Sequence, residues 1–272
     1  MNIAKLKECP RVFTRLFGLS PDKFDVLVEQ VRPLWTTAEA KRLRHKRKIK
    51  KGSGRLYALT LEESVAMLLL YTRTYVTHVF LSALFDIHDS RVCRYFVRLR
   101  PSVESVFALP TKHADLSEEE ILKLVVDATE QRTERRKYSC GYSGKKKAHT
   151  VKTQIVVDKA GNIRHISLSV PGSIHDKKLF DRSGVTLPDN AQGDLGYLGT
   201  NLTIPCKSSK LHPLTVRQKQ ANKRHSRTRI VVEHVLASLK SFRILADRFR
   251  GSLSPYHQYF LIVCGLRNLA RA

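Results

Sequence analysis

The chain has 272 residues and carries 49 Lys and Arg against 24 Asp and Glu, a formal net charge of +25 that predicts binding to a polyanion. Five cysteines without a C-x-x-C pair argue against a disulfide framework and a structural zinc site, and no segment approaches the roughly 18 apolar residues of a membrane span. Because neither a basic amphipathic helix at a terminus nor a lipidation signal favours a membrane surface, we predict a nucleic-acid partner and a cytoplasmic, nucleoid-associated protein.

The first predicted helix follows Ser20, with Pro21 at its first position and apolar residues at helical spacing. Pro33 is expected to end it. Residues 41–55 then form a run of Lys and Arg without an acidic residue, closed by a Gly-Ser-Gly sequence. This run is either a solvated linker or an arm that contacts phosphates, and its candidate contacts are Lys46, Arg47 and Lys48.

The next region has the layout of a helix-turn-helix. Thr60 and Glu63 form a capping box that begins one helix. A short apolar helix, a polar turn at 86–89 and a second helix capped by Ser90 follow. The second helix places basic side chains on the face opposite its apolar residues, and the candidate DNA contacts are Arg91, Arg94 and Arg98, with Arg100 on the same helix. The alternative is a three-helix bundle with a basic exposed face.

After Pro110 the apolar pattern changes to that of strands. A β-branched strand ends at Asp127, and two further strands are joined by a turn at 158–162. A helix, a weak strand into a Gly-rich turn, a short strand, a long helix from about 214 to 240 and an apolar closing helix follow, which is an α/β order. We predict three parts: residues 1–55 with a helix and a basic arm, residues 56–110 with the helix-turn-helix, and a catalytic domain at 111–272.

Three carboxylates stand out in this basic chain. Asp127 is expected at a strand end, although a buried Asp satisfied by backbone donors is the alternative. Asp194 lies between Gly193 and Gly196. Asp is common in Gly-rich turns, so this position alone is weak evidence for a site. Glu233 is the one acidic residue between positions 195 and 246, a stretch with ten Lys or Arg. Phosphodiester chemistry uses carboxylates to hold metal ions, so these residues are candidate ligands.

Helical geometry places two cationic side chains on the same side of the helix as Glu233. At about 100° per residue, Arg229, Glu233 and Lys240 fall on one stripe of the long helix. One interpretation is an ordinary i,i+4 pair between Arg229 and Glu233. The other is a metal-binding carboxylate flanked by two cations that grip DNA phosphates.

Four motifs resemble those of the DDE transposases of bacterial insertion sequences, in the group related to Harbinger-type elements. They are VVDATE at 125–130, PGSIHD at 171–176, GDLGYLG at 193–199 and RIVVEHVLASLK at 229–240. The last has the family spacing of Arg, Glu and Lys, although Ser226 stands where the family has Tyr. Because 38 residues separate Asp194 from Glu233, the resemblance implies an uninterrupted RNase H-like domain, a mixed sheet flanked by helices, after an all-α helix-turn-helix domain.

The resemblance implies a mechanism as well. Asp127, Asp194 and Glu233 would hold two Mg²⁺ or Mn²⁺ ions, and Arg229 and Lys240 would contact phosphates. His175 and Asp176 match the family's His-Asp pair, and Asp176 is either an accessory residue or a helix cap. The expected activity is binding of terminal inverted repeats, hydrolytic cleavage of the DNA ends and joining of the 3′-OH to target DNA, by a homodimer or larger assembly on double-stranded DNA. The alternatives are a DNA-binding regulator that has lost its chemistry and a nuclease without joining activity.

Overall fold

The computed structural model describes residues 1–44, 57–111, 114–116, 124–134, 141–208 and 213–272. The candidate arm residues Lys46, Arg47 and Lys48 lie outside these ranges. The chain divides into two compact units. The first comprises Met1–Ala108, Phe242–Ile244 and Gln258–Ala272, and the second comprises Leu109–Ser241 and Leu245–His257. Most of the closing helix thus belongs to the same unit as the N-terminal helices. Within the described ranges, no helix has both the length and the apolar composition that a membrane crossing requires.

The first unit is helical. It contains α1 (Ile3–Lys7), α2 (Pro10–Phe17), α3 (Pro21–Arg44), α4 (Leu61–Thr74), α5 (His78–Phe85), α6 (Asp89–Phe107) and nearly all of α10 (Tyr256–Arg271), while the short α9 (Arg243–Ala246) spans the division. The sequence patterns predicted no element for α1 and α2. These two helices are short, but α2 buries Phe13 and Phe17, whose ring centroids lie 4.5 Å apart, so tertiary packing stabilises them.

Helix α3 contradicts the expected stop at Pro33, because it continues to Arg44 with the proline inside it. A proline removes one backbone hydrogen bond of a helix and crowds the preceding turn. The apolar face of the first half is fully buried and offsets that cost through Phe24, Leu27 and Val31.

The helix-turn-helix prediction is confirmed in layout. Helices α5 and α6 are separated by three residues, and Asp86 closes α5 in a left-handed conformation at φ 50°. The predicted cap was wrong: His88, not Ser90, is the N-cap of α6, and its ring nitrogen accepts from the Ser90 backbone N–H at 3.3 Å. The capping box at Thr60 and Glu63 is present at the start of α4.

The second unit is built on a sheet of five strands, β1 (Val125–Arg132), β2 (Tyr142–Ser143), β3 (Ala148–Val157), β4 (Ile163–Ile166) and β5 (Val170–Pro171). Strand β3 is central and pairs antiparallel with each of the others. The predicted turn between β3 and β4 is confirmed: the Asp158 N–H donates to the Asn162 carbonyl, and Gly161 takes φ 86°. Gln192 adds parallel bridges to Val125 and Thr203, so the predicted weak strand and short strand are reduced to single bridged positions.

Helices α7 (Asp176–Ser183) and α8 (Val216–Leu239) complete this unit, as the patterns predicted. A capping box of Thr215 and Gln218 begins α8, which packs on β1. A buried apolar cluster lies under α7 and the start of β1, formed by Leu124, Val126, Val156, Phe180 and Tyr197 with their neighbours. The fold is therefore a helical helix-turn-helix region followed by an α/β domain with a mixed sheet.

Candidate active site

Asp127 is the third residue of β1 and lies opposite Ile155 of β3. The prediction that it ends the strand was wrong, because β1 continues for five further residues to Arg132. Its side chain is 17% exposed, and its Oδ1 accepts a hydrogen bond of 2.7 Å from the Ala128 backbone N–H. The sheet therefore fixes a largely buried carboxylate in one orientation.

The partner of this carboxylate is Arg229 from α8. Its guanidinium donates to Asp127 Oδ2 at 3.3 Å, and the arginine side chain is 21% exposed. Burial raises the pKa of Asp127, while the Ala128 N–H and the Arg229 charge oppose that rise and the Asp194 charge adds to it. One guanidinium does not fully compensate the buried charge, so the site favours further positive charge beside Asp127.

Asp194 reaches the same edge of the sheet through a parallel register. Val126 N–H donates to the Gln192 carbonyl and Gln192 N–H to the Leu124 carbonyl, both at 2.8 Å. These bonds pair Val125 with Gln192, and Asp127 and Asp194 each follow two residues later. Since extended chain repeats its side-chain direction every two residues, both carboxylates lie on one face. Asp194 is itself extended, at φ −86° and ψ −177°.

A short 3-10 helix, Leu195–Tyr197, follows Asp194 and holds its carboxylate in place. Asp194 is the N-cap, and its Oδ1 accepts from the Gly196 N–H at 2.8 Å. A β-carbon on Gly196 would lie 2.9 Å from that oxygen and 2.7 Å from Asp176 Oδ2. Glycine is therefore needed for the close approach of α7 to this turn.

Asp176 is the third carboxylate near this turn, and we call Asp127, Asp176 and Asp194 the acidic cluster. Asp176 does not cap its helix. The N-cap of α7 is His175, which makes no side-chain capping bond. Asp176 Oδ1 instead accepts from Lys152 Nζ at 2.9 Å, and the same ammonium donates to the Ile174 carbonyl at 2.8 Å. The interpretation of Asp176 as a helix cap is thus replaced by an ion pair between α7 and β3.

Tyr197 was missed by the sequence analysis. Its side chain is 1% exposed, and its hydroxyl has no hydrogen-bond partner among the described residues. Burial raises the pKa of Tyr197 well above its ordinary value, and the charges of Asp176, Asp127 and Asp194 raise it further. A buried phenol thus lies within the field of all three carboxylates. The detectable signal was an aromatic three residues after a candidate ligand in a Gly-rich turn.

Glu233 is placed differently from the two aspartates. It is exposed on α8, and the i,i+4 pair with Arg229 is not formed, because Arg229 pairs with Asp127. Over the described part of the chain, no three His, Cys, Asp or Glu side chains are grouped closely enough to hold a metal ion. Lys240, the third member of the stripe, is the C-cap of α8 and is exposed.

The donor set fits a hard divalent cation in part. Asp127 and Asp194 offer carboxylate oxygens side by side, which are the ligands that Mg²⁺ and Mn²⁺ prefer. The buried and incompletely compensated Asp127 supplies a reason for such an ion to bind there. Two of the three predicted ligands, Asp127 and Asp194, therefore lie on one face in matching register. Glu233 lies one helical turn from Arg229, which contacts Asp127.

The candidate DNA contacts of α6 fall into three settings. Arg94 is exposed and folds back on Ser90, to whose hydroxyl it donates at 2.9 Å. Arg91 and Arg98 are half-buried. Arg100 is buried, donates to the Phe96 carbonyl and lies over the Tyr259 ring at 4.8 Å from its centroid. Its expected place on the exposed basic face was wrong, because it is part of the packing of the helical unit.

Comparison with known proteins assigns both parts of the chain. Residues 126–268 match a family model described as DDE superfamily endonuclease, and residues 57–105 match one described as the helix-turn-helix of DDE superfamily endonuclease. The first match covers more than half of the chain. The chain therefore belongs to the DDE superfamily endonucleases, which are in general dependent on divalent metal ions.

Two curated relatives narrow the assignment to transposases of insertion sequences. The chain is 32% identical to a protein of Microchaete diplosiphon named as a transposase for insertion sequence element IS702, over 98% of each chain. It is 28% identical to one of Streptomyces albus G named as a transposase for IS112, over 93% of this chain and 92% of the relative. No solved structure matches the chain. The protein thus has the two domains of an insertion-sequence transposase, with DNA binding through its helix-turn-helix.

Proposed function

We propose that this transposase binds the terminal inverted repeats of its element, cleaves the DNA at the element's ends and joins the freed 3′-OH to target DNA. The observation that carries the proposal is the parallel register that sets Asp127 beside Asp194. Two adjacent carboxylates in a chain of net charge +25 are the arrangement that metal-dependent phosphodiester chemistry requires.

The proposed ligands are Asp127, Asp194 and Glu233, and the proposed ions are two Mg²⁺ or Mn²⁺. Bound ions would supply a nucleophile at neutral pH and would stabilise the leaving oxygen. The side chains of this chain have their own tasks. The Arg229 guanidinium pairs with Asp127 and offsets part of its buried charge. The Gly196 N–H fixes the orientation of the Asp194 carboxylate. Arg229 and Lys240 are the proposed phosphate contacts that orient the strand.

The two steps are both displacements at phosphorus. In cleavage, the oxygen of water bonds to phosphorus, the bond to the 3′ oxygen breaks, and that oxygen leaves with a proton as the 3′-OH. In joining, the same 3′ oxygen bonds to a phosphorus of target DNA and displaces a target 3′ oxygen, which takes up the proton. No bond to the enzyme is formed in either step.

Joining is what separates a transposase from a nuclease without that activity. The experiment supplies a duplex that carries the element's end, Mg²⁺ and supercoiled target DNA, and compares the wild type with Asp194→Asn. We expect nicked ends and end-to-target products for the wild type and neither for the variant. Nicked ends without joined products would favour the non-joining nuclease. Binding without any cleavage would favour a regulator.

The number of chains in the proposed complex follows from the number of DNA ends that it must join. Joining both ends of one element to a single target site requires two active sites in one complex, so we propose a homodimer or larger assembly on DNA. Light scattering of the complex with duplex ends is expected to report at least two chains per pair of ends.

A further inference from the structure

A polar cavity of about 540 Å³ lies beside β1, directly after Asp127. Five parts of the second unit line it: residues 128–130 of β1, residues 143–146 at the turn between β2 and β3, Lys152 of β3, residues 172–176, and the end of α8 at Leu236 and Lys240. A β-carbon on Gly172 would lie 1.8 Å from Thr150 Oγ1, so glycine is required for the close approach that forms this wall. The family resemblance implies a phosphate contact for Lys240 alone among the lysines of this lining, and neither it nor the comparisons assign a role to Lys145 or Lys146.

The charges around the cavity leave an excess of cations. Its two carboxylates are engaged, since Asp176 pairs with Lys152 and Glu130 accepts from the Thr150 hydroxyl. Lys145, Lys146 and Lys240 are exposed and form no ion pair with any residue that the structure describes. Four lining lysines against two lining carboxylates leave a net charge of +2, which attracts an anion from solution.

The lining indicates which part of a nucleic acid would enter. Among the described lining residues there is no Phe, Tyr or Trp on which a base could stack. Lysine ammonium groups act as point charges toward phosphate. The cavity therefore fits the backbone of DNA better than a base.

The distance of the cavity from Asp127 indicates which backbone phosphate of the DNA could reach it. Residues 128–130 are one to three positions after Asp127, which is roughly 3–10 Å of extended chain. DNA advances about 3.4 Å per nucleotide of one strand. We infer that this cavity binds one backbone phosphate of the cleaved DNA strand, within about three nucleotides of the reacting phosphodiester, through Lys145 and Lys146 with Lys240. The inference rests on the proposed function and specifies the path of the strand.

The test uses the full chain and a duplex that ends at the terminal nucleotide of the element. A series of such duplexes carries a single neutral methylphosphonate at each of the last positions of the strand. The cavity variant is Lys145→Gln with Lys146→Gln. The control is Lys147→Gln with Lys159→Gln. It also removes two positive charges, from exposed turns of the same sheet, at residues that do not line the cavity.

We expect wild type and control to bind one methylphosphonate duplex at least about threefold more weakly than the unmodified one, and the cavity variant to have lost that difference. The cavity variant should also lower the salt slope of binding by about one more unit than the control does. Equal losses in both variants, or sensitivity kept at every position, would overturn the inference. Since binding is measured without cleavage, a wild type that binds but does not cut would instead count against the proposed function.

Discussion

At the scale of residues, the buried carboxylate of Asp127 links metal binding to pH. Its pKa is raised from the ordinary 3.8, first by burial, so without a bound metal ion the folded state binds this proton more tightly than the unfolded chain does. The stability that Asp127 contributes is complete below the unfolded value and is lost as pH rises through the folded pKa. A divalent cation beside the carboxylate competes with that proton.

We therefore predict that Mg²⁺ raises the Tm of the wild type more at neutral pH than near pH 4. At about 100 times its Kd, binding to the folded state alone contributes roughly 2.7 kcal/mol, which is about 5–10 °C for a chain of this size. Differential scanning fluorimetry across pH measures the shift. Asp127→Asn is the control and should show little response. An equal response in both proteins would place the ion elsewhere.

Gly196 gives a second prediction at this scale, because any side chain there meets two carboxylates. Gly196→Ala sets a β-carbon 2.7 Å from Asp176 Oδ2 and 2.9 Å from Asp194 Oδ1. We expect the overlap to cost about 1–3 kcal/mol of unfolding free energy and to reduce cleavage by about tenfold or more. Gly144→Ala, where the β-carbon meets open space, is the stability control and should unfold at the wild-type urea midpoint. Normal cleavage by Gly196→Ala would show that Asp194 does not need this fixed position.

At the scale of elements, helix α6 carries two arginines six positions apart, and we predict that one contacts DNA while the other contributes to packing. Arg94 is exposed, whereas Arg100 is 7% exposed and lies over the Tyr259 ring. Arg94→Gln should leave the Tm unchanged and reduce the salt slope of end binding by about one. Arg100→Gln should instead lower the unfolding free energy by about 1–3 kcal/mol. Fluorescence anisotropy at several salt concentrations, with urea unfolding, measures both. Unchanged affinity of Arg94→Gln would shift recognition to the basic run at 41–55.

Local signals predicted those elements whose determinants lie within a few residues of one another. The capping box at Thr60, the turn at Asp158 and the long helix α8 all have such determinants, and the structure confirms them. Pro33 misled the prediction, since the burial that keeps α3 intact depends on residues distant in sequence. Helices α1 and α2 were missed for the same reason.

The candidate site was predictable in its residue types and not in its assembly. Isolation in a basic stretch pointed to Glu233, the end of an apolar run to Asp127, and mainly the family resemblance to Asp194. The parallel bridge of Val125 to Gln192, which sets the two aspartates in one register, is a long-range pairing without a local pattern. The contact of Arg229 with Asp127, rather than with Glu233 on its own helix, likewise depends on the packing of α8 against β1. The role of all three carboxylates as metal ligands remains a prediction.

At the scale of the whole molecule, the net charge and the domain organisation both indicate a protein that binds DNA. The charge of +25 predicted a polyanionic partner, and the helix-turn-helix match of residues 57–105 supplies the module for it. The acidic cluster belongs to the other unit, so under the proposed function DNA recognition and phosphodiester chemistry are assigned to separate parts of the chain. Substitutions in the acidic cluster are thus expected to abolish chemistry while end binding is kept.

The proposal that the acidic cluster carries out metal-dependent cleavage and joining is tested most directly with Asp127→Ala. The wild type and this variant are compared on a labelled duplex that carries the element's end, with Mg²⁺, a metal-free control and target DNA. We predict that the wild type cleaves and joins DNA when Mg²⁺ is present and not in the metal-free control. We expect Asp127→Ala to lose at least about 1,000-fold in both activities and to bind the element's end with similar affinity. Cleavage and joining by Asp127→Ala at the wild-type rate would contradict the proposal.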